Sequence, residues 1–342
     1  MSVIAATTSM LERLPVPDSL MRAGISHLVG RTHRRMSAAP ADCDLAFAAG
    51  MTAHPIAEHT AAANDQHYEL PEAFFGLVLG PHRKYSSCLY TANAETLEQA
   101  EANALSETCA HADLRDRQDI LELGCGWGSL SLWMAAHYPE ARITAVSNSN
   151  SQREYIARTA RARRLRNLTV ITSDMNDFNT EARFDRVVSV EMFEHMANWE
   201  ALLTRVRGWL KPEGRLFLHV FSHAAAPYRF DTGDKADWIA RYFFTGGIMP
   251  SHGLARRFPH LFAVEADWRW NGCHYQRTAE AWLANYDAHV DGIDALLRDA
   301  YGDAAGLWRR RWRMFFLAVS GLFGHDSGRA WGVSHYRLAP VP

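Results

Sequence analysis

The stretch Asp119-Ile-Leu-Glu-Leu-Gly-Cys-Gly-Trp-Gly-Ser129 decides the fold of this chain. Its first half is apolar and predicts a short strand, and Gly124, Gly126 and Gly128 follow directly. These glycines keep side chains out of the turn, so that the backbone can approach a ligand closely. Leu130–Tyr138 then has a helical pattern, and the free N–H groups at a helix start favour a negatively charged or electron-rich ligand. The sequence therefore predicts a ligand-binding turn between a strand and a helix.

The spacing of these glycines narrows the kind of ligand. It is G-x-G-x-G and not the G-x-G-x-x-G of dinucleotide-binding turns, and no Gly-Lys-Ser/Thr follows it. A loop that cradles phosphate is therefore disfavoured. The turn resembles the first motif of class I S-adenosylmethionine (SAM) methyltransferases, in which it lies under the amino-acid end of SAM. The resemblance implies SAM as the ligand.

Strands and helices alternate after this turn. Besides Ile120–Leu123, the expected strands are Arg142–Ser147, Leu168–Ser173, Phe184–Glu191 and Arg215–Ser222. Helices are expected at about Ser151 to Arg164 and Trp199–Leu210, and Lys211–Gly214 is expected to form a turn. Apolar runs of this length between helices indicate a parallel sheet that is covered on both faces. The expected fold class is α/β, a Rossmann-like doubly wound sheet.

The rest of the chain predicts additions to this sheet. Residues 1–110 are expected to form a helical N-terminal or lid segment, and residues 111–342 the methyltransferase core. Within the core, residues at about 223–260 carry many aromatics and predict an insertion over the ligand end of the sheet, as a cap for the substrate. Residues at about 276–323 predict helical additions. Phe262–Trp270 predicts a further strand, and Trp331–Leu338 a last edge strand.

Composition excludes several classes of function. The 36 Lys and Arg nearly balance the 38 Asp and Glu, so nothing favours an electrostatic nucleic-acid binder. The five cysteines are scattered without a C-x-x-C pair, which argues against disulfides and a zinc site. No metal spacing such as H-E-x-x-H occurs among the 17 histidines, and we expect no metal. No apolar run approaches the roughly 20 residues of a membrane span, and the N-terminus lacks a signal-peptide layout, so we expect a cytoplasmic protein.

Polar residues follow the second and third strands, where a doubly wound sheet binds its ligand. Asn148, Ser149 and Gln152 replace the acid that commonly binds the ribose in class I methyltransferases, and their neutral groups can still bond hydroxyls or adenine. Asp174 can accept a hydrogen bond from adenine, and Met175 follows it. The plainer interpretations, a helix cap for the Asn/Ser run and a turn residue for Asp174, stay open.

Motifs along the chain together resemble the cyclopropane-fatty-acid-synthase-like group of methyltransferases. They are Asn64–Tyr68, Lys84–Ser86, Gly124–Gly128, Ser149–Gln152 and Ser334–Tyr336, and the resemblance covers about residues 64–338. Asn271–Tyr275 also matches the group, without a chemical role that we can assign. In that group the Tyr-Ser pair reaches the methionine end of SAM, which implies this role for Tyr85 and Ser86. The missing acid after the second strand is normal for the group.

The segment Val190–Met196 carries the candidate chemistry at the end of the fourth strand. Glu191, Glu194 and His195 place three titratable groups there, and one helical turn would put the two carboxyls on one face. Such a cluster suits the alignment of a nucleophile and the removal of its proton. The plainer interpretation is a structural Glu–His bond that closes the strand.

This segment also separates two branches of the group. Cyclopropane synthases methylate a lipid double bond and hold bicarbonate with a Cys, a Glu, a His and a Tyr. Glu194 and His219 have the Glu and His places, but Ser87 stands in the Cys position and Phe315-Phe316 where the Tyr is expected. The incomplete set counts against cyclopropanation.

The other branch resembles coclaurine N-methyltransferase of plant alkaloid pathways, whose Glu-x-x-Glu-His cluster is matched here. The resemblance implies that Glu194 and His195 receive the amine proton. The residues expected around the substrate are His219, Phe221, Phe315, Phe316, Phe323 and Trp331. Aromatic walls attract a cationic centre, although Phe315 and Phe316 taken singly are as well explained as core.

We therefore expect a SAM-dependent methyltransferase that acts on a nitrogen of a small, aromatic amine. The first alternative is a lipid C-methyltransferase or cyclopropane-fatty-acyl-phospholipid synthase acting on an unsaturated phospholipid. The second is a SAM-binding protein without catalysis. A homodimer is the candidate assembly.

Overall fold

A seven-stranded sheet forms the centre of the computed structural model, which describes residues 16–58, 70–230, 233 and 237–342. Its strands are β1 (Asp119–Leu123), β2 (Arg142–Ser147), β3 (Leu168–Thr172), β4 (Phe184–Val190), β5 (Leu210–His223), β8 (Phe262–Asn271) and β9 (Trp331–Pro340). Two short strands, β6 (Tyr228–Arg229) and β7 (Ile248–Met249), pair separately.

The strand order is β3-β2-β1-β4-β5-β9-β8. Strands β1 to β5 are parallel, whereas β9 is antiparallel to both β5 and β8. Leu123 pairs with Val146 on one side and with Ser189 on the other, so the carboxyl ends of β1, β2 and β4 reach the same edge. The predicted α/β doubly wound class is confirmed.

Two strand predictions differ from the structure. The segment Lys211–Gly214 was expected to be a turn, but β5 begins at Leu210, which pairs with Phe184 before a register shift. Trp331–Leu338 was expected at the edge of the sheet, and this is wrong, since β9 lies between β5 and β8. Strand β9 is almost continuously buried because it is paired on both edges and covered on both faces.

The helices are bounded by local signals that the sequence contains. Thr96 and Gln99 form a capping box at the start of α4 (Leu97–His111). Ser149 and Asn198 accept from backbone N–H groups at the starts of α6 (Asn150–Ala162) and α7 (Trp199–Trp209). The helices are α1 (Asp18–Ser37), α2 (Cys43–Met51), α3 (Glu72–Val78), α4 (Leu97–His111), α5 (Ser129–His137), α6 (Asn150–Ala162), α7 (Trp199–Trp209), α8 (Trp238–Tyr242), α9 (Cys273–Ala288), α10 (Val290–Tyr301) and α11 (Ala305–Gly324).

The side chains of the central strands alternate between two apolar clusters, one on each face of the sheet. Leu218 and Val220 of β5 pack in the cluster that contains Trp199 of α7. Phe217, which stands between Leu216 and Leu218 in the strand, packs on the other face with Leu105 of α4. Burial on both faces explains why the parallel strands are continuous apolar runs.

A third, aromatic-rich cluster lies under helices from both ends of the chain. Helix α1 is tied to the C-terminal helices by the ion pair of Arg22 with Glu280 (2.6 Å). Arg313 of α11 in turn contacts Asp18 (2.5 Å) and Asp287 (2.9 Å). The N-terminal helix therefore packs on the C-terminal additions, while the predicted division of the chain at residue 110 stays a prediction.

The turn after β1 should tolerate no side chain at Gly128. Its φ is +77°, and an added Cβ would lie 2.5 Å from Cγ1 of Ile156. We expect Gly128→Ala to lower the free energy of unfolding by about 2–4 kcal/mol, from left-handed strain and overpacking. Gly208→Ala in α7 is the matched control, because an added Cβ there has no neighbour within 4 Å, and it should stabilise by about 0.5–1 kcal/mol. Urea unfolding measures both, and equal effects would contradict the account.

Candidate active site

The glycine turn lies at the carboxyl end of β1, with φ of +78° at Gly124, +52° at Gly126 and +77° at Gly128. A Cβ at Gly124 would collide with the Met192 side chain. At Gly126, by contrast, an added Cβ would meet no heavy atom of the described residues within 4 Å. The backbone of Gly126 therefore faces open space, as the close approach of a ligand requires.

Two cavities meet at this turn. Among the residues that line the first cavity are Asn148, Asp174, Met175 and His195. Among those that line the second are Lys84, Tyr85, Ser86 and Trp127. Gly124, Gly126, Gln152 and Glu191 line both cavities. The turn thus separates two halves of one site, and Glu191 lies where they join.

Two buried donors at these cavities lack partners among the described residues. The Ser147 hydroxyl donates to Oε1 of Gln152 (2.7 Å), which leaves the Gln152 Nε2 unpaired. The indole Nε1 of Trp127 is likewise unpaired. Unpaired buried donors cost free energy, so this site fits a ligand that offers hydrogen-bond acceptors to both.

Glu191 follows β4 with a left-handed φ of +48°, and its side chain is held from three directions. Oε1 accepts from the backbone N–H of Ser87 (2.9 Å) and lies 3.1 Å from Nε2 of His219. Oε2 accepts from the Tyr275 hydroxyl (2.8 Å). Burial raises the pKa of this carboxyl, while Lys84 and the bonds from Ser87 and Tyr275 oppose the rise. The group is therefore a positioned, strongly hydrogen-bonded acid.

Glu194 is completely buried in the short turn Phe193–His195. Its Oε1 accepts from the backbone N–H of Phe221 (2.6 Å), and its Oε2 has no partner among the described residues. Burial raises the pKa of Glu194 well above its usual value, and the neighbouring Glu191 raises it further. Two interacting carboxyls in one buried site favour the neutral form of one of them.

His195 completes the predicted cluster. It lines the first cavity, and its ring lies 4.4 Å from that of Phe244. The structure therefore brings Glu191, Glu194 and His195 together beside the glycine turn, as the sequence predicted. Their catalytic role stays a prediction.

Two of the predicted cofactor residues have structural contacts instead of cavity-lining positions. Gly128 is the N-cap of α5, and its N–H donates to the Cys125 carbonyl (2.8 Å). Ser149 caps α6 through a bond from the Gln152 N–H (3.4 Å), which is the plainer interpretation of that run. Asp174 fits both interpretations, because it lines the first cavity and accepts from the Asn176 N–H (2.8 Å).

The predicted aromatic wall splits into two groups. Phe221 lies 5.4 Å from Phe244 and 6.2 Å from Phe323, and Phe323 stacks on Tyr275 at 4.2 Å, so these rings approach Glu191. Three others lie further inside the aromatic cluster: Phe315 stacks on Phe243 at 4.4 Å, and Phe316 and Trp331 are fully buried. Four phenylalanines and one tryptophan were predicted around the substrate, and none of these five is among the described residues that line the two cavities.

Sequence reasoning missed several residues of the site. Lys84 is fully buried and donates to Ser86 Oγ and to the Ser87 carbonyl, both at 2.6 Å. Glu101 accepts from the backbone N–H groups of His82 and Lys84, and burial raises its pKa to about 7. Lys84 and Tyr275 lie inside the motifs Lys84–Ser86 and Asn271–Tyr275, so membership of these motifs was the sign in the sequence that could have pointed to them. The motif Asn64–Tyr68 lies outside the described residues.

Within the described part of the chain, no group of three or more His, Cys, Asp or Glu side chains is placed to hold a metal. In the same residues, no helix is long and apolar enough to cross a membrane.

The strand order, the glycine turn after β1 and the two-sided cleft at the carboxyl ends define a class I SAM-dependent methyltransferase. The family model of the mycolic acid cyclopropane synthetases matches residues 57–324. The chain belongs to this family, and SAM is its cofactor.

Relatives of both branches are found. The chain is 34% identical over 289 residues to (S)-coclaurine N-methyltransferase of Thalictrum flavum subsp. glaucum, covering 82% of this chain and 79% of the relative. It is 30% identical over 271 residues to the cyclopropane-fatty-acyl-phospholipid synthase of Escherichia coli (strain K12), covering 78% and 66%. The crystal structure of coclaurine N-methyltransferase bound to N-methylheliamine and SAH superposes with a TM-score of 0.93 at 31% identity, covering 98% of this chain and 99% of that one.

The second cavity also contains an acid whose charge should show in the pH dependence of stability. Glu122 of β1 is 2% exposed and accepts a hydrogen bond from the Ser131 hydroxyl. Burial raises its pKa from 4.5 to about 7. Folding therefore favours the protonated acid, and this contribution to stability is present below pH 4.5 and lost as the pH rises through 7.

We expect Glu122→Gln to remove this share of the pH dependence, since glutamine is uncharged throughout. Between about pH 4.5 and 8, the free energy of unfolding of the wild type should fall by about 3 kcal/mol more than that of the variant. Urea unfolding at several pH values measures it, with the exposed Glu213→Gln as the control. Parallel pH profiles for wild type and Glu122→Gln would show that Glu122 is already ionised.

Proposed function

We propose that this chain transfers the methyl group of SAM to the nitrogen of a small aromatic amine. The observation that carries the proposal is Glu191 where the two cavities join, with His195 lining the first cavity and the buried Glu194 interacting with Glu191. The likeness to coclaurine N-methyltransferase over nearly the whole chain supports an amine as the acceptor.

Of the residues predicted to bind the cofactor, we assign to it those that line the two cavities. They are Tyr85, Ser86, Gly124, Gly126, Asn148, Gln152, Asp174 and Met175. Gln152 offers its unpaired Nε2 as a donor, and Gly126 leaves room at the turn. When bound there, SAM supplies an electrophilic methyl carbon on a positively charged sulfur.

The chain itself must hold the amine beside that carbon and take up one proton. As the new N–C bond forms, the electron pair of the breaking C–S bond stays on sulfur, and the nitrogen of a primary or secondary amine carries an excess proton. A carboxyl whose pKa is raised by burial is a better base once it is ionised. Glu191 and Glu194 both have raised pKa values, and they interact with each other. We therefore assign proton uptake to this pair with His195.

The aromatic rings nearest the cluster suit an amine. Phe244 lies against His195, and Tyr275 with Phe323 stacks beside Glu191. Each ring face attracts a cationic centre by roughly 0.5–2 kcal/mol. We propose that Phe221, Phe323 and Phe244 contact the acceptor, and that Phe315, Phe316 and Trp331 support them from behind.

A phospholipid acceptor is the alternative, on the strength of the family model and the bacterial relative. The Ser87 hydroxyl, at the place of the Cys in cyclopropane synthases, is buried and donates to the Cys88 carbonyl (3.2 Å). This contact turns it toward its own backbone. The assembly state and the compartment remain predictions from the sequence.

The function is tested by mass spectrometry of products from SAM with a panel of secondary and tertiary aromatic amines, and in parallel with unsaturated phospholipids. We expect N-methylated amines and S-adenosylhomocysteine in equal amounts. Methylated or cyclopropanated lipid without amine turnover would favour the lipid reaction, and SAM binding without any product would favour a non-catalytic binder.

On the amine that is turned over, Glu194→Gln and His195→Ala should each lower kcat by a factor on the order of 10²–10⁴, as for lost general bases. SAM affinity measured by calorimetry should stay near the wild-type value, because neither change removes a donor to the cofactor. Glu200→Gln, in the exposed part of α7, is the matched control and should keep full activity. Full activity in both cluster variants would show that the base assignment is wrong.

A further inference from the structure

A line of three histidines joins Glu191 to the protein surface. His219 Nε2 lies 3.1 Å from Glu191 Oε1, and His219 Nδ1 lies 2.8 Å from Nε2 of His335. His335 Nδ1 lies 2.8 Å from Nδ1 of His111, whose Nε2 contacts Oε1 of Glu107 at 2.9 Å. Every ring nitrogen of the three histidines is therefore in one hydrogen-bonded line.

The fold places these residues from three separate elements. His219 of β5 and His335 of β9 are direct partners in the antiparallel ladder, so their side chains lie on the same face. His111 is the last residue of α4, and Glu107 precedes it by one helical turn. His219 and His335 are fully buried, whereas the Glu107 side chain is 45% exposed. The line therefore runs from the junction of the two cavities to solvent.

The line contains one proton fewer than its hydrogen bonds require. Its four contacts need four protons, and three neutral imidazoles supply three. One further proton completes the set, and each contact is satisfied whichever of the five groups holds it. Such a line passes one proton by exchanging hydrogen bonds along itself, which reverses the tautomers of all three imidazoles. The rings must turn over in place to restore the tautomers before the next proton.

Aromatic rings pack along the line and keep water from it. His111 stacks on Trp268 at 3.8 Å, and Trp270 lies 5.4 Å from His219 and 4.3 Å from His335. Two cations act on the line: Lys84 on His219 and His335, and Arg337 on His111. Burial is the main cause that lowers the pKa values of all three histidines. The resting imidazoles are therefore neutral, as transient proton transfer requires.

We propose that His219, His335 and His111 form a relay that carries the proton released by methyl transfer from Glu191 to solvent at Glu107. The proposal rests on the proposed N-methylation, in which the nitrogen gains a methyl group and loses one proton. That proton passes to Glu191, and an equivalent proton leaves at the far end. No oxidant, reductant or further reactant is needed.

His335→Gln tests the middle of the relay, since an amide can hydrogen-bond to both neighbours but cannot accept and release a proton. We expect kcat for the amine to fall by about 10²-fold, the low end for a lost proton-transfer group, with KM and SAM affinity unchanged. The solvent deuterium isotope effect on kcat should rise, because proton transfer becomes rate-limiting. A purely structural histidine would move SAM affinity or KM instead.

Glu107→Gln tests the exit. We expect a lower kcat in weakly buffered solution and recovery of the rate as free imidazole is added, since a mobile base replaces the missing carboxylate. The control is His252→Gln. His252 bonds to Ser334 of β9 (2.8 Å) and Asp267 of β8 (3.1 Å), off the line to Glu191, and its variant should show neither effect.

A second readout needs no substrate. In protein with ¹⁵N-labelled histidines, Glu107→Gln should shift the imidazole ¹⁵N resonances of His111, His335 and His219 together, because one proton links their tautomers. His252→Gln should leave these resonances in place. Shifts confined to His111 would overturn the relay.

The two proposals fail in different ways. If no amine is methylated by the wild type, the proposed function fails and the coupled ¹⁵N shifts still decide the relay. If the amine is methylated, and His335→Gln and Glu107→Gln keep the wild-type kcat and isotope effect, the relay is overturned and the function stands.

Discussion

The hydrogen bonds of Glu191 are the constraint on which the site depends. Its backbone N–H donates to the carbonyl of His219 (2.8 Å), and its carboxylate bonds to Ser87, His219 and Tyr275. One residue thus fixes the end of β4 against β5, the loop before α4 and the helix α9. Its left-handed φ of +48° is strained for a non-glycine residue. The surrounding contacts hold the residue in this conformation and aim its carboxyl at both cavities.

The charges around Glu191 explain both the chemical activity of this site and its cost to the stability of the fold. Lys84 is fully buried, the Glu191 side chain is 8% exposed, and Glu194 lies beside Glu191 with an oxygen unpaired among the described residues. A buried network of this kind stabilises a fold less than apolar packing of equal volume would. Raised carboxyl pKa values and unpaired donors are what a site for proton uptake and ligand binding needs. The further histidines give the same carboxyl a second connection, to solvent at Glu107.

The sequence predicted the parts of the molecule that depend on local pattern. Strand β2 has the predicted bounds, and the glycine turn with Glu191, Glu194 and His195 lies where strand ends meet. The sequence did not predict contacts between distant residues: Tyr275 bonds to Glu191 across 84 residues, and His335 to His219 across 116. Antiparallel pairing of β9 inside the sheet was missed for the same reason, since pairing order is a property of the whole chain. The motifs contained Tyr275 and His335, but only packing shows what they touch.

The central claim is that Glu191 at the junction of the two cavities, with Glu194 and His195, serves a site that holds both the cofactor and an amine. A crystal structure of the complex with S-adenosylhomocysteine and a methylated aromatic amine tests it most directly. We predict the sulfur beside the glycine turn, and the amine nitrogen within hydrogen-bond distance of Glu191, Glu194 or His195. An amine bound away from these three residues, with the cofactor in the same cleft, would contradict the account.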